Sequence, residues 1–281
     1  MTVPAGVAGW PIAHSLSPRL HGYWLQEYGI DGVYVPLPIA REDFSVAVDG
    51  LRRAGFAGLN VTVPHKEAAF AMAQTLDEDA RITGAVNLLL FHRDGTIGGR
   101  NTDAMGLAAS VAEEFGPDVT HGKTAVLLGA GGAARAAILA LARLGAAKIR
   151  IVNRSHGKGE TLARQLQPHV SCRLTAAGFE DWPVSASETA LVVNATSAGM
   201  KGNPPLDLSL AALPATAAVY DLVYNPLETS LTKQARERGL RSVGGLGMLI
   251  QQAVPAFAAF YGVTPTVTPQ LRACLQQALA A

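Results

Sequence analysis

The stretch Thr124–Ala137, TAVLLGAGGAARAA, leaves this chain little choice of local architecture. The apolar run Ala125–Leu128 stops at Gly129. Gly131, Gly132, Ala133 and Ala134 follow, and apolar residues then resume at helical spacing through Ile138, Leu141 and Leu144. That pattern is strand, tight turn, helix. In Gly129-x-Gly131-x-x-Ala134, one glycine permits a sharp reversal and another lets backbone approach a pyrophosphate without an intervening Cβ. The small third residue lets the helix pack close to the strand. The first N–H groups of such a helix, at the positive end of its dipole, face the phosphates. A dinucleotide site is expected here, with Gly129, Ala130, Gly131, Gly132 and Ala133 as contacts. The alternative is a βα turn that serves structure alone.

The next strand, Lys148–Val152, bears on which dinucleotide. In an NAD site its end carries an acid for the ribose 2′-hydroxyl. This chain has Asn153, Arg154 and Ser155 there, with Lys158 nearby. A carboxylate would repel a 2′-phosphate, whereas a guanidinium binds one in bidentate fashion, so NADP is expected over NAD. A solvated arginine at a strand end is the competing reading. Further on, Leu191–Ala195 reads as a strand followed by the small-residue turn Thr196-Ser197-Ala198-Gly199-Met200, a turn expected over the cofactor ribose. Ala218–Val223 reads as another strand, ending in Tyr224-Asn225-Pro226. A helix follows over 230–238, then a short strand over 241–243, an apolar helix over 249–260 and a last helix over 269–280.

Length and charge exclude several classes. With 281 residues, 49% apolar content, 16% charged content and a net charge of +1, the chain points away from disorder and from nucleic-acid binding through bulk charge. Cys172 and Cys274 have neither metal-ligand spacing nor a disulfide framework, so no metal is expected and a reducing compartment suits them. The N-terminal residues lack a basic segment followed by an apolar one, and the most apolar region carries Arg135 and Arg143. A cytoplasmic protein without a membrane span is expected.

The first hundred residues carry several polar clusters at strand ends. Gly6–Ile12 is an apolar run leading into His14-Ser15-Leu16-Ser17-Pro18. Ser17 before Pro18 suits an N-cap, and on these residues alone capping is the more ordinary role for Ser15 and Ser17. A strand over 32–38 and a helix over 43–54 come next. A strand over 59–63 then stops at Pro64, with a helix from about His65. Lys66 therefore sits in a first turn, where a cation opposes the helix dipole; it is either solvated or kept for chemistry. Gly84-Ala85-Val86-Asn87 leads into a strand over 88–91, and Asn101-Thr102-Asp103 precedes a helix. Asp103 reads by spacing as an ordinary N-cap. Gln252 reads as a surface position on its helix. This half is expected to form a βαβ domain of its own, and strand-to-helix junctions of such domains collect at one edge.

Taken in order, PIAHSLSP (11–18), NVTVPHK (60–66), GAVN (84–87), NTD (101–103), GAGGAA (129–134), NRS (153–155), NATSAGM (194–200), YDLVYNP (220–226) and GLGMLIQQ (245–252) resemble the shikimate dehydrogenase family, from about residue 6 to residue 260. The resemblance implies an α/β protein of two domains. The first, residues 1–103 completed by 245–281, is an α/β substrate domain; the second, residues 104–244, is a Rossmann domain that binds NADP(H). The terminal helices pack back on the first domain. It further implies that Ser15 and Ser17 bind the substrate carboxylate, reversing the capping reading. Thr62, Asn87 and Gln252 hold ring hydroxyls, Tyr224 lines the same pocket, and Lys66 with Asp103 is the catalytic pair. Cofactor contacts at Asn153, Arg154, Ser155, Thr196, Ser197, Leu222, Gly245 and Met248 are implied alongside the glycine turn. The implied reaction is the NADP-dependent, reversible reduction of 3-dehydroshikimate to shikimate in aromatic amino-acid biosynthesis, by a monomer or homodimer.

Three positions depart from the family pattern: Leu88 follows Asn87 where a hydroxyl residue is usual, Trp10 replaces a common asparagine, and Ala104 a common glycine. A quinate/shikimate dehydrogenase is the nearest alternative, because such relatives share most of these motifs. A non-catalytic NADP-binding module is opposed by the presence of both Lys66 and Asp103. A methylenetetrahydrofolate dehydrogenase would need other motifs before the glycine turn.

Overall fold

The computed structural model describes residues 2–280. The chain divides into two compact units: one comprises the chain up to Thr102 together with the chain from Ile250, and the other is Asp103–Leu249. The second unit thus takes in Asp103 and residues 245–249, which the expected boundaries had given to the first domain. Local bonding accounts for this. Asp103 opens the helix Asp103–Phe115, and Gly245 and Met248 donate their N–H groups to Val223 and Tyr220 of the second unit.

The first unit runs β1 (Val3–Gly9), α1 (Ser17–Glu27), β2 (Gly32–Pro38), α2 (Phe44–Arg53), β3 (Gly58–Val61), α3 (Lys66–Met72), β4 (Thr75–Leu76), α4 (Glu78–Thr83), β5 (Leu88–Phe91) and β6 (Ile97–Arg100). Its sheet has the order β2-β1-β3-β5-β6-β4. Strands β1, β2 and β3 are parallel, as the βαβ reading requires, but β5 pairs antiparallel with both β3 and β6. The sheet is therefore mixed. The turn at Asp94-Gly95, with Gly95 at φ +87°, closes a β5–β6 hairpin where a crossover helix would otherwise have kept the strands parallel. Two-residue β4 is too short to give any periodic signal. A core of Leu59, Val61, Val48, Phe44, Val86 and Leu89 fills one side of this sheet. Each such side chain stabilises the fold by about 1.5–3 kcal/mol relative to exposure.

The second unit contains α5 (Asp103–Phe115), β7 (Thr124–Leu128), α6 (Gly132–Arg143), β8 (Lys148–Val152), α7 (His156–Leu166), β9 (Arg173–Ala177), α8 (Trp182–Ser187), β10 (Thr189–Asn194), β11 (Ala218–Asp221), α9 (Ser230–Glu237) and β12 (Arg241–Val243). Its sheet is parallel throughout, with the order β12-β11-β10-β7-β8-β9. In a doubly wound sheet of this kind, with β7 as its first strand, the switch point lies between β7 and β10. The run Ala125–Leu128 is fully buried, as expected of a parallel strand covered on both faces.

Helix α10 (Leu246–Tyr261) begins in the second unit and continues into the first, and α11 (Pro269–Ala280) follows. Within the first unit α11 packs on α1, and the Trp24 indole N–H donates to the Thr266 carbonyl at 3.1 Å. Among the described residues, no helix is long and apolar enough to cross a membrane.

Candidate functional site

Ser15, Ser17 and Thr62, the residues expected to meet the substrate, lie where parallel strands of the first unit end. Ser15 and Ser17 follow β1, and Thr62 follows β3. Gly9 at the end of β1 passes so near Thr62 that a Cβ on it would come within 2.6 Å of Thr62 Cγ2. Helix α1 starts at Ser17 itself, with Leu16 in the N-cap place and no side-chain cap. The expected N-cap at Ser17 is therefore corrected: Pro18 occupies the first turn, but no hydroxyl closes the helix end. Ser15 Oγ accepts the Ser17 N–H at 3.3 Å, a turn within the loop.

Asn87 is the hub of this group. It is buried, and its Oδ1 accepts the Thr102 N–H at 2.9 Å while its Nδ2 donates to Thr102 Oγ1 at 3.0 Å and to Gln252 Oε1 at 3.4 Å. Thr102 Oγ1 in turn donates to the Gln252 carbonyl at 2.9 Å. Gln252 is thus half-buried and bonded into the site, not a plain surface position on α10. Position 252 looks outward by helical spacing, and a partner from residues 87–102 lies beyond the reach of any local pattern.

Lys66 is the first residue of α3, as its sequence position implied, with His65 in the N-cap place. Its carbonyl accepts the Val86 N–H at 2.9 Å. Adjacent residues, Val86 and Asn87, therefore hold both the main chain of Lys66 and the residue preceding Asp103. The segment before Asp103 is further fixed by Asn101, whose Nδ2 donates to Thr83 Oγ1 at 3.1 Å and to the Ala85 carbonyl at 2.9 Å. Asp77 caps α4 by accepting from the Ala80 N–H and also accepts the Asn101 N–H; burial pushes its carboxyl above the usual range. Asp103 itself is buried and begins α5 in the second unit, inside the helix and not ahead of it.

In the second unit the glycine turn follows β7 at the switch point. Gly129 has φ +102°, a conformation that disfavours any side chain, and a Cβ there would lie 2.9 Å from Thr196 Cγ2. Gly131 is the N-cap of α6 with no side-chain cap, and positions 131 and 132 have nothing within 4 Å of an added Cβ. The helix N-terminus therefore presents main-chain N–H groups to open space, the geometry a pyrophosphate needs. Arg154 and Ser155 are exposed at the start of α7, whose first turn carries no acid, and Asn153 Nδ2 donates to the Ser155 carbonyl at 2.9 Å. These residues fit an anion at the ribose.

The loops beyond β10 and β11 are braced by Asp221, to which the sequence analysis gave no role. Fully buried, it accepts from Asn194 Nδ2 at 2.9 Å, the Val223 N–H at 3.0 Å and Thr229 Oγ1 at 2.7 Å. Burial raises its pKa against the lowering effect of those donors. Asn194 Oδ1 accepts both the N–H and the hydroxyl of Thr196, so one carboxylate fixes the Thr196-Ser197 turn and the Leu222–Tyr224 turn together. Gly245 approaches so closely that a Cβ would overlap the Leu222 carbonyl oxygen. Met248 donates its N–H to Tyr220 Oη at 3.1 Å, and Tyr224, in the second unit, is a half-buried phenol whose pKa burial raises. A carboxylate within an otherwise apolar run, as Asp221 is in residues 218–223, was the available signal.

Leu88, expected to depart from a pocket-facing hydroxyl, is fully buried in β5, opposite Asn60 and Arg100.

Residues 7–89 match the model of the shikimate dehydrogenase substrate binding domain, and residues 110–201 match that of shikimate / quinate 5-dehydrogenase. A shikimate dehydrogenase (NADP(+)) of Paramagnetospirillum magneticum is 50% identical over 270 residues, covering 96% of each chain. The structure of shikimate 5-dehydrogenase from Thermus thermophilus in complex with NADP(H) and shikimate superposes with a TM-score of 0.85 at 33% identity, covering 99% of this chain and 98% of that one. A quinate dehydrogenase from Corynebacterium glutamicum in complex with NAD gives a TM-score of 0.90 at 29% identity, over 98% and 99% of the two chains.

Proposed function

The chain belongs to the shikimate dehydrogenase family, and from that premise we propose how its residues divide the work. The reaction is the NADP-dependent, reversible reduction of 3-dehydroshikimate to shikimate. Ser15 and Ser17 hold the substrate carboxylate by hydroxyl donation, and Thr62, Asn87 and Gln252 hold the ring hydroxyls, with Tyr224 lining the pocket. Fixing the ring at several points turns much of the entropic barrier into binding.

Reduction of the ketone leaves negative charge on its oxygen. Lys66 Nζ donates the proton that neutralises it, and in the reverse direction takes the proton from the hydroxyl. The Asp103 carboxylate orients the ammonium and balances its charge. Bound NADPH supplies the hydride. Gly129, Ala130, Gly131, Gly132 and Ala133 would hold its pyrophosphate. Asn153, Arg154 and Ser155 would hold the 2′-phosphate end, and Thr196, Ser197, Leu222, Gly245 and Met248 the remainder. An exposed guanidinium beside an uncapped helix start, with no acid in that helix's first turn, selects the phosphorylated ribose by charge.

The observation that carries this reading is the Val86–Asn87 clasp, which ties the main chain of Lys66 to Thr102, immediately before Asp103. A cytoplasmic location is part of the same proposal, supported by two free thiols suited to a reducing compartment. The test is Lys66→Ala. Turnover should fall by about two orders of magnitude or more while NADP affinity stays nearly intact. Unchanged turnover would remove Lys66 from the proton transfer.

A further inference from the structure

Behind the substrate-side residues of the first unit runs a buried polar path that begins on a strand far from them in sequence. Tyr34 in β2 is buried, and its ring lies flat on His21, with centroids 3.9 Å apart and planes 7° apart. The stack fixes the phenol in direction. Its hydroxyl donates to Asn60 Oδ1 at 2.7 Å. That bond decides which way the Asn60 amide faces, since an acceptor turned to Tyr34 leaves Nδ2 as the group turned away. Asn60 Nδ2 donates to the Asn87 carbonyl at 3.3 Å, the same carbonyl that accepts the Val61 N–H at 2.8 Å. The Asn87 N–H is also engaged, donating to the Arg100 carbonyl at 3.0 Å. The main chain of Asn87 is thus held from three sides, while its side chain grips Thr102 and Gln252.

A phenol and a carboxamide in an apolar strand layer need a reason, because each buried polar group lost from its partner costs stability. A phenylalanine and a valine would fill the same space without that risk.

We propose that Tyr34 is a positioning residue for the reaction: through Asn60 it sets the orientation of Asn87, and through Asn87 the placement of Thr102 and of Asp103 next in the chain. The proposal rests on the roles given above to Asn87 and Asp103. Removing the hydroxyl leaves Asn60 Oδ1 buried without its donor, and the amide is then able to turn over. Asn87 then loses its side-chain brace.

Tyr34→Phe is the first variant, with the urea midpoint measured beside the kinetics. The folded variant should lose about tenfold in kcat with shikimate, because small misplacements of reacting groups are costly. Its KM for NADP should stay within about twofold of the parent. A purely structural role would lower the urea midpoint and leave the folded enzyme's kcat unchanged, which would overturn the proposal. In an Asn60→Ala background, Tyr34→Phe should have no further effect on kcat, because the path is already cut. Losses that multiply independently would also overturn it. If Tyr34→Phe does not fold, Asn60→Ala alone carries the test: a kcat loss of about tenfold supports the path and a parental kcat refutes it. Lys66→Ala assayed in parallel separates the two failures. An active Lys66→Ala enzyme removes the underlying catalytic reading, whereas an inactive one beside a fully active Tyr34→Phe removes the role of Tyr34 alone.

Discussion

His21 shows how one side chain couples packing to pH. It is completely buried, neither ring nitrogen has a hydrogen-bond partner among the described residues, and burial pushes its pKa down to about 3 from an ordinary value of 6.5. The unfolded chain takes up a proton below pH 6.5 that the folded chain refuses, so this group makes stability fall as pH falls. The slope is about 1.4 kcal/mol per pH unit until the native value is reached. His21→Phe keeps a ring against Tyr34 and removes the titration. Urea unfolding at about pH 6.5 and about pH 4.5 should then show a smaller acid-induced loss of stability than in the parent, by the equivalent of about one proton. Equal losses would show that His21 does not set the acid limb. At this scale the sequence was legible where a residue broke a local rule. Lys66 in a first turn and the acid missing after Val152 both stood out. Asn87, Thr102 and Gln252 did not reveal their mutual bonds, because no periodicity links positions so far apart.

At the scale of elements, the glycine turn and the strand after it carried most of the legible information. A sharp reversal at φ +102° on Gly129, an uncapped α6 and an α7 that opens beside Arg154 follow from residues that have few other uses together. Arg154→Ala should therefore raise the dissociation constant for NADP by about tenfold or more and change that for NAD little, since a charge-assisted contact to one phosphate is removed. Fluorescence titration with each reduced cofactor measures both. Equal weakening would count against a 2′-phosphate contact. Elements that escaped the sequence reading did so for physical reasons. Strand β4 is two residues long, β9 is a five-residue edge strand whose alternation is weak, and the serine-proline start of α1 imitates a cap that the folded helix does not use.

For the molecule as a whole, the division into a mixed-sheet unit and a parallel-sheet unit puts Ser15, Ser17, Thr62, Lys66, Asn87 and Gln252 in one and the glycine turn after β7 in the other. The parallel order of the second sheet was implied by its repeated strand-turn-helix pattern. In the first, a turn at Asp94-Gly95 after the strand over 88–91 was legible, but the antiparallel pairing of β5 with β3 was not, because an apolar run buried on both faces reads alike in either direction. The chain divides after Thr102, within the NTD motif, where Asp103 opens α5 of the second unit, and Gly245 and Met248 donate to Val223 and Tyr220 of that unit.

Substrate and cofactor choice is a property of the whole chain. The direct measurement is the appearance of reduced nicotinamide on mixing the enzyme with shikimate or quinate and either NADP or NAD. Shikimate with NADP should give turnover, with kcat/KM about tenfold or more above that with NAD and above that for quinate. No shikimate-dependent reduction of either cofactor would contradict it.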